Sequence, residues 1–180
     1  QGRVAFFTRD PRTGIQVWSG EHGYPGDPGY LEFHKKRWPG GHRYWQVTHP
    51  RVDLGLKTAY YPESAWQRTR IQAQHFSQVA NSVLRYHAPA NQSGTPPILT
   101  APFDAELFGH WWFEGPIFLE HVLRQLDASA RAGGIGAVTL GGYLERCPSL
   151  AVAEPAASSW GEGGFGAVWT GPEAARLWRH

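Results

Sequence analysis

The chain has 180 residues, 41% of them hydrophobic, which is enough to build a packed core and excludes a disordered chain. Its formal net charge of +2, from 17 basic and 15 acidic residues, gives no strong field that would attract nucleic acid or an anionic membrane. A single cysteine permits no internal disulfide, and neither an apolar stretch of about 20 residues nor a leader is visible, so we expect a soluble, cytoplasmic protein.

Two further features of the composition are unusual. The chain contains no Met, and Gln1 is followed almost at once by the apolar run Val4–Phe7, which is typical of an internal piece of a longer polypeptide. It contains nine Trp, several of which stand beside Gly, Pro or polar residues, as Trp18 and Trp160 do. Such positions favour loops and binding surfaces over core packing.

The first half of the chain predicts a strand, a long loop and a helix. Residues 4–7 are apolar and predict a short strand. Residues 20–41 are rich in Gly, Pro and Tyr, and a loop of that length usually has a function. Pro62 opens an amphipathic helix that runs to Tyr86. Its apolar residues recur at helical spacing: Phe76, Val79, Ala80, Val83 and Leu84.

The second half predicts two more strands and two more helices. Residues 98–101 predict a short buried strand, and Gly115 starts a helix that runs toward Gly133. Residues 137–140 predict a further strand, and residues 143–147 a helical segment. Because helices precede and follow the strand at 98–101, we expect an α/β architecture with a parallel sheet.

The stretch PFDAELFGHWWFEGP, residues 102–116, concentrates side chains that carry chemistry. Asp104 follows a predicted strand, and α/β folds place ligand groups there, because loops and helix N-termini converge at the carboxyl ends of parallel strands. Glu106 lies two residues further on, and His110 and Trp111 follow. The alternative for Asp104 is a helix cap or a turn residue, since turns use Asp freely.

Carboxylates beside aromatic rings suit glycoside chemistry. A sugar ring packs its apolar faces on Trp, while its hydroxyls form hydrogen bonds with Asp, Glu and His. Cleavage of a glycosidic bond needs one carboxyl group to protonate the leaving oxygen and a second to attack or stabilise the anomeric centre. The two groups lie about 5–5.5 Å apart in retaining enzymes and about 6.5–9.5 Å apart in inverting ones, a distance that sequence does not give.

A metal site is the alternative chemistry for this stretch. His110 and Glu114 are four residues apart and would share a helix face, with Glu120 and His121 nearby. There is no His-Glu-x-x-His motif and no pair of cysteines, so we expect neither a metal nor a cofactor. Cys147 precedes a proline at a predicted helix end, and we interpret it as structural.

Three separated segments together resemble the α-1,4-glucan branching enzymes of glycoside hydrolase family 57. They are PFDAELFGHWWFEGP at 102–116, SSWGEGG at 158–164 and QVWSGEHGYPGDPGY at 16–30. Their order matches as well, and the resemblance covers nearly the whole chain. The first segment is long and idiosyncratic, which makes a chance match a poor explanation.

The resemblance implies a retaining enzyme that acts on α-glucan. It implies an α/β fold, here the last strands and helices of an incomplete (β/α)7 barrel over residues 1–130, followed by a mostly helical region over residues 131–180. The aspartate of the motif is the family's general acid/base, and here it is Asp104. The nucleophilic glutamate stands in an earlier motif that this chain lacks, so the resemblance implies that the remainder of the same polypeptide supplies it.

The resemblance carries over to several other residues, one by one. Trp18, Trp160 and Trp169 match tryptophans that line the glucan groove, and their alternative is surface or interdomain packing. His110 would bind a sugar hydroxyl or hold Asp104. Glu106 and Trp111 would support the site. Tyr24, in the loop at 21–30, would contact the substrate.

The leading hypothesis is a branching transglycosidase whose partner is an α-glucan such as amylose or glycogen. It would cleave an α-1,4 linkage and transfer the chain to a 6-hydroxyl, and the 180 residues alone would be inactive because they lack the nucleophile. A family 57 α-amylase or 4-α-glucanotransferase is the nearest alternative. A carbohydrate-binding piece without catalysis would account for the tryptophans and leave Asp104 and Glu106 unexplained.

Overall fold

The computed structural model describes residues 4–49, 51–88, 95–147, 149–156 and 171–178. The chain divides into two compact units, residues 1–148 and 149–180. The described α-helices of the first unit are α1 Pro11–Trp18, α2 Pro62–His87, α3 Gly115–Arg131 and α4 Leu140–Arg146, and that of the second is α5 Pro172–Ala175. None of these helices is both long and apolar enough to cross a membrane.

Helix α1 begins at a side-chain cap. The Asp10 carboxylate accepts hydrogen bonds from the backbone N–H and the hydroxyl of Thr13, both at 2.7 Å. Pro11 occupies the first helical position, where a missing N–H costs nothing because that group has no partner inside the helix. The helix ends at Trp18, and it buries Val17 in the core.

Helices α2 and α3 pack against each other and form the centre of the core, and both confirm the helices that the apolar spacing predicts. Phe76 of α2 and Phe118 of α3 meet edge to face, with ring centroids 5.8 Å apart. Both rings are almost fully buried, and burial of a side chain of this size contributes roughly 1.5–3 kcal/mol. The apolar stripe of α3 is narrower than its sequence indicates, since Leu123 is half exposed.

The prediction of an α/β fold with a partial (β/α)7 barrel is wrong for the described residues, which contain five α-helices and no strand. The segments at 4–7 and 98–101 form no ladder. A single parallel bridge joins Arg9 to Thr100, where the Asp10 N–H donates to the Thr100 carbonyl at 3.0 Å. A parallel strand is stable only with hydrogen-bonded neighbours along its length, and these segments have one such contact.

The strand predicted at residues 137–140 is also wrong. Thr139 caps helix α4, its Oγ1 accepting the Gly142 N–H at 3.1 Å, and Leu140 is the first residue of that helix. A four-residue apolar run does not distinguish a strand from the start of a helix by periodicity alone. The helical segment predicted at 143–147 is confirmed up to Arg146.

The long Gly- and Pro-rich region between α1 and α2 folds back on itself. Isolated antiparallel bridges join Leu31 to Gln46 and Trp45 to Ala59. Short 3₁₀ turns form at Tyr24–Gly26 and Leu54–Leu56. Within this region Tyr30 is buried, and its hydroxyl donates to Gln72 of helix α2. The loop is therefore anchored to the helical core and forms a wall beside it.

Candidate active site

Asp104 stands immediately before a short 3₁₀ turn, Ala105–Leu107. Its carbonyl accepts the Leu107 N–H at 3.1 Å, while its carboxylate forms no capping hydrogen bond to the turn. Leu107 is buried and anchors the turn, and the Asp104 side chain is exposed. A carboxylate held at the surface by a buried neighbour is available to a ligand.

The residues after this turn reverse the chain before helix α3. Gly109 adopts a left-handed φ of 97°, which favours glycine, and its N–H donates to the Trp112 carbonyl at 2.8 Å. The reversal turns two adjacent tryptophans to opposite sides: Trp112 is 1% exposed and packs in the core, whereas Trp111 is 49% exposed. We call residues 104–114 the motif turn.

Glu106 supports the motif turn. The Trp111 indole Nε1 donates to Glu106 Oε1 at 3.4 Å, and the Trp111 backbone N–H donates to the Glu106 carbonyl, also at 3.4 Å. Both contacts are long, and the Glu106 side chain is exposed, so each is weak. Together they favour one orientation of the Trp111 ring.

Aromatic rings from two separated segments meet at this surface. Phe33 packs against Trp111 with ring centroids 4.8 Å apart, and against the exposed His110 at 5.7 Å. The Arg43 guanidinium lies over the Phe33 ring at 4.8 Å, within the range of a cation–π contact. The motif turn is thereby joined to residues 31–35, which we call the wall segment.

A cleft of about 430 Å³ lies between the wall segment, the end of α1 and the motif turn. Its apolar lining includes Trp18, Leu31, Phe33, Val47, Trp111 and Trp112, and its polar lining Glu32, His34 and Lys35. Mostly apolar walls, with several aromatic rings and a few charged groups, suit a ligand that has apolar faces and polar edges. Asp104 and His110 stand on the adjoining turn and are not among the residues that line the cleft.

The wall segment is fixed from behind by a buried ion pair. Lys57 Nζ donates to Glu32 Oε2 at 2.6 Å and to the Val47 carbonyl at 2.6 Å, and both charged side chains are almost completely buried. Burial acts to raise the pKa of Glu32, but the Lys57 hydrogen bond, the His34 N–H and the Lys57 charge outweigh it, so the pKa is lowered. Glu32 is therefore ionised and held in place.

A second buried carboxylate connects the two halves of the cleft. Glu114 is fully buried at the end of the motif turn, and its Oε1 accepts the Leu31 N–H at 3.0 Å. Burial raises the pKa of Glu114, while the hydrogen bond from the Leu31 N–H and the neighbouring Tyr60 hydroxyl act in the opposite direction. Burial also raises the pKa of Tyr60, which keeps its hydroxyl protonated and able to donate.

The geometry excludes the shared helix face that a metal site at His110 and Glu114 would need. Helix α3 begins at Gly115, so both residues lie in the turn before it, one exposed and one buried. Among the described residues, no three His, Cys, Asp or Glu side chains lie close enough to hold a metal ion. Cys147 is a buried free thiol just after α4.

The remaining predicted site residues lie in different surroundings. Trp18 is half-buried and lines the cleft. Tyr24 is buried in the core, where its hydroxyl lies 2.7 Å from His75 Nδ1 and its ring packs 5.3 Å from that of Phe118. Trp160 and Trp169 lie outside the described residues.

Sequence reasoning missed the residues that hold the wall segment. Glu32 and Lys57 are 25 positions apart, and Leu31 and Glu114 are 83 apart, so no local spacing rule connects them. Phe33 stands in a run of charged and polar residues that favours a solvated loop. The only available signal was the length of the Gly- and Pro-rich region, which indicates a function without indicating its residues.

The chain resembles known α-glucan enzymes along nearly its whole length, although no protein-family profile matches it. The 1,4-α-glucan branching enzyme of Thermococcus kodakarensis is 40% identical over 178 residues, which is 98% of this chain and 26% of that enzyme. A probable 1,4-α-glucan branching enzyme of Mycobacterium tuberculosis is 35% identical over 175 residues, 97% of this chain and 32% of that protein.

Solved structures give the same relationship. The branching enzyme of Pyrococcus horikoshii, of glycoside hydrolase family 57, matches with a TM-score of 0.84 and 41% identity over 96% of this chain and 31% of its own. The T. kodakarensis enzyme, crystallised in complex with glucose, matches with a TM-score of 0.82 and 39% identity. The match covers 96% of this chain and 30% of that enzyme. The α-amylase AmyC of Thermotoga maritima matches with a TM-score of 0.75 and 33% identity. The match covers 86% of this chain and 33% of that enzyme.

The described fold thus matches part of the solved structures of glycoside hydrolase family 57 branching enzymes. The chain is a homologue of the family 57 branching enzymes, and it spans about 30% of their length.

Proposed function

We propose that the chain is part of an α-1,4-glucan branching enzyme, a retaining transglycosidase that forms α-1,6 branches in glycogen-like glucan. The observation that carries this proposal is the identity of 39–41% with two branching enzymes over 96–98% of the chain, including the motif turn. The catalytic unit would be the complete polypeptide, with the nucleophilic glutamate outside these 180 residues.

Asp104 is the proposed general acid/base. It protonates the leaving glycosidic oxygen while the glutamate attacks the anomeric carbon, so that the cleaved chain becomes a covalent glycosyl ester. It then takes the proton of an acceptor 6-hydroxyl as that oxygen displaces the glutamate. The exposed position of Asp104, on a turn whose backbone is anchored by the buried Leu107, supports this role.

The aromatic-lined cleft is the proposed position of part of the glucan. Trp18 and Trp111 offer ring faces to sugar rings, and Trp160 and Trp169 are proposed to extend the same groove. His110 would bind a hydroxyl near the reacting bond, while Glu106 would support the motif turn. Since Tyr24 is buried, its contribution would come through packing beneath the cleft.

Branching requires that a sugar hydroxyl react in preference to water. An acceptor chain bound on aromatic rings raises the local concentration of its 6-hydroxyl at the glycosyl ester, which favours transfer over hydrolysis. We further propose that tryptophans beyond residue 130 bind the glucan.

The main alternative is an α-amylase or 4-α-glucanotransferase of the same family, which the 33% identity to AmyC favours. The products distinguish these activities. A branching enzyme creates α-1,6 linkages without new reducing ends, an amylase creates reducing ends, and a glucanotransferase lengthens linear chains. The proton NMR spectrum of amylose after incubation with the complete polypeptide reports the first two outcomes directly.

The experiment that tests the proposed mechanism is Asp104→Asn in the complete polypeptide. We expect branching to fall by about 10²–10⁴-fold, the usual contribution of a positioned acid/base, while binding in a glucan pull-down stays at the wild-type level. Glu106→Gln is the matched control two residues away and should lose far less. Branching by the 180-residue chain alone, or full activity of Asp104→Asn, would refute the proposal.

A further inference from the structure

The motif turn contacts the wall segment at two places, through the rings of His110 and Trp111 and through the Glu114 carboxylate. From one side of the turn, the Trp111 ring packs on Phe33 at 4.8 Å. From its end, the Glu114 carboxylate accepts the Leu31 N–H at 3.0 Å. Leu31 and Phe33 are two positions apart on the wall segment, and Trp111 and Glu114 are three apart on the motif turn. The cleft therefore has its width set by these contacts.

The two contacts differ in strength. Trp111 is half exposed, so its ring contact is open to water and adjustable. Glu114 is fully buried, and its carboxylate is enclosed beside the Tyr60 hydroxyl. The acceptor side of this hydrogen bond is buried and its donor side is partly buried, so its loss would take away the Leu31 N–H's protein partner. The rigid link between the two halves of the cleft is consequently Glu114.

The far side of the wall segment is already immobilised. Glu32, directly after Leu31, is bound to Lys57, which also donates to the Val47 carbonyl. The wall segment is thus fixed to the rest of the loop on one side and to the motif turn, through Leu31, on the other. Removal of the Glu114 contact would leave the wall segment joined to the turn that bears Asp104 through the ring contacts of Phe33.

We propose that Glu114 is a positioning residue that sets the distance between the wall segment and the motif turn, and so the fit of a glucan chain in the cleft. Its part in glucan binding rests on the proposed function. Its part in holding Leu31 does not. Glu114 touches no reacting atom in this scheme, so its loss should weaken substrate binding more than it slows chemistry.

Three variants of the complete polypeptide test this role. Glu114→Gln keeps an acceptor oxygen for the Leu31 N–H. Glu114→Leu removes the acceptor at similar volume. Glu114→Asp keeps the carboxylate but withdraws it from Leu31 by one methylene, and it serves in place of the Leu variant if that variant does not fold. Glu120→Gln, exposed on the helix that follows Glu114, is the matched control.

The first readout is hydrogen exchange of the Leu31 amide, which needs no activity. We expect it to be about tenfold faster or more in Glu114→Leu and Glu114→Asp, and close to wild type in Glu114→Gln and Glu120→Gln. The second readout is KM for amylose, which should rise about tenfold in the first two variants while kcat changes by less than about threefold.

Unchanged Leu31 exchange in Glu114→Asp and Glu114→Leu would overturn the proposal. So would an equal loss in Glu114→Gln, or a fall in kcat with KM unchanged. If the wild-type polypeptide forms no α-1,6 linkages, the proposed function fails. In that case, hydrogen exchange of the Leu31 amide and the affinity for glucan in a pull-down still test the role of Glu114.

Discussion

Lys57 and Glu32 form an ion pair, with 2.6 Å between Nζ and Oε2, in a region almost closed to water. Removing two charges from water is costly, and their attraction offsets this only when the remaining donors and acceptors are also satisfied. Lys57 meets that condition by donating to the Val47 carbonyl as well. The pair fixes the wall segment more than it stabilises the protein.

Removing one partner of this ion pair should destabilise the protein strongly. We expect Lys57→Met to lower the free energy of unfolding by about 3–5 kcal/mol, because it leaves the Glu32 carboxylate buried without a counter-charge. The double variant, with Glu32→Leu added, should recover most of that loss. Urea unfolding followed by tryptophan fluorescence measures both. A single variant that costs less than about 1 kcal/mol would contradict a buried pair.

The stability of the protein should depend on pH through Glu32. Its pKa in the folded protein is lowered below 4.5, so its contribution is fully present above pH 4.5 and is lost as pH falls through the folded pKa. Replacing it with Gln should flatten the decline of unfolding free energy with acid below pH 4.5. Glu120→Gln, an exposed control, should leave the wild-type slope intact, and an unchanged slope in Glu32→Gln would refute the assignment.

The adjacent tryptophans of the motif turn should differ sharply on truncation. Trp112 is 1% exposed and packs against Phe118 with ring centroids 4.8 Å apart. We expect Trp112→Ala to cost about 3–5 kcal/mol of unfolding free energy. Trp111→Ala should cost about 1 kcal/mol or less, since half of its ring is already in water, and should instead weaken glucan binding. Thermal unfolding measures the loss of stability, and a glucan pull-down measures the loss of binding. Similar losses of unfolding free energy in the two variants would contradict the opposite orientations of the two rings.

Gly115 should not tolerate a side chain. A Cβ added there would lie 2.9 Å from Phe108 Cα and 3.0 Å from Phe108 Cδ1, which forces the motif turn away from helix α3. We expect Gly115→Ala to cost about 1–3 kcal/mol. Gly141→Ala in helix α4, where nothing lies within 4 Å, should instead stabilise by roughly 0.5–1 kcal/mol. Melting temperatures of the two variants should therefore shift in opposite directions.

Helices were predictable here where strands were not. The buried residues of α2 recur at helical spacing from Ala65 to Val83 and pack mainly on α3, so a local pattern carries the signal. The apolar runs at 4–7 and 98–101 are short, and a strand depends on hydrogen-bonding partners elsewhere in the chain. Among the described residues a single bridge forms here, between Arg9, beyond the first segment, and Thr100 in the second, so the predicted sheet does not form.

The two long helices, the resemblance to family 57 and the stretch that contains Asp104 could all be predicted from residues close together along the chain. Which tryptophan of the motif is buried, and that Glu32 and Glu114 hold the wall of the cleft, became visible only in the folded protein. The reason is physical: a side chain's burial and hydrogen-bond partners depend on residues that the fold brings close from 25 and 83 positions away.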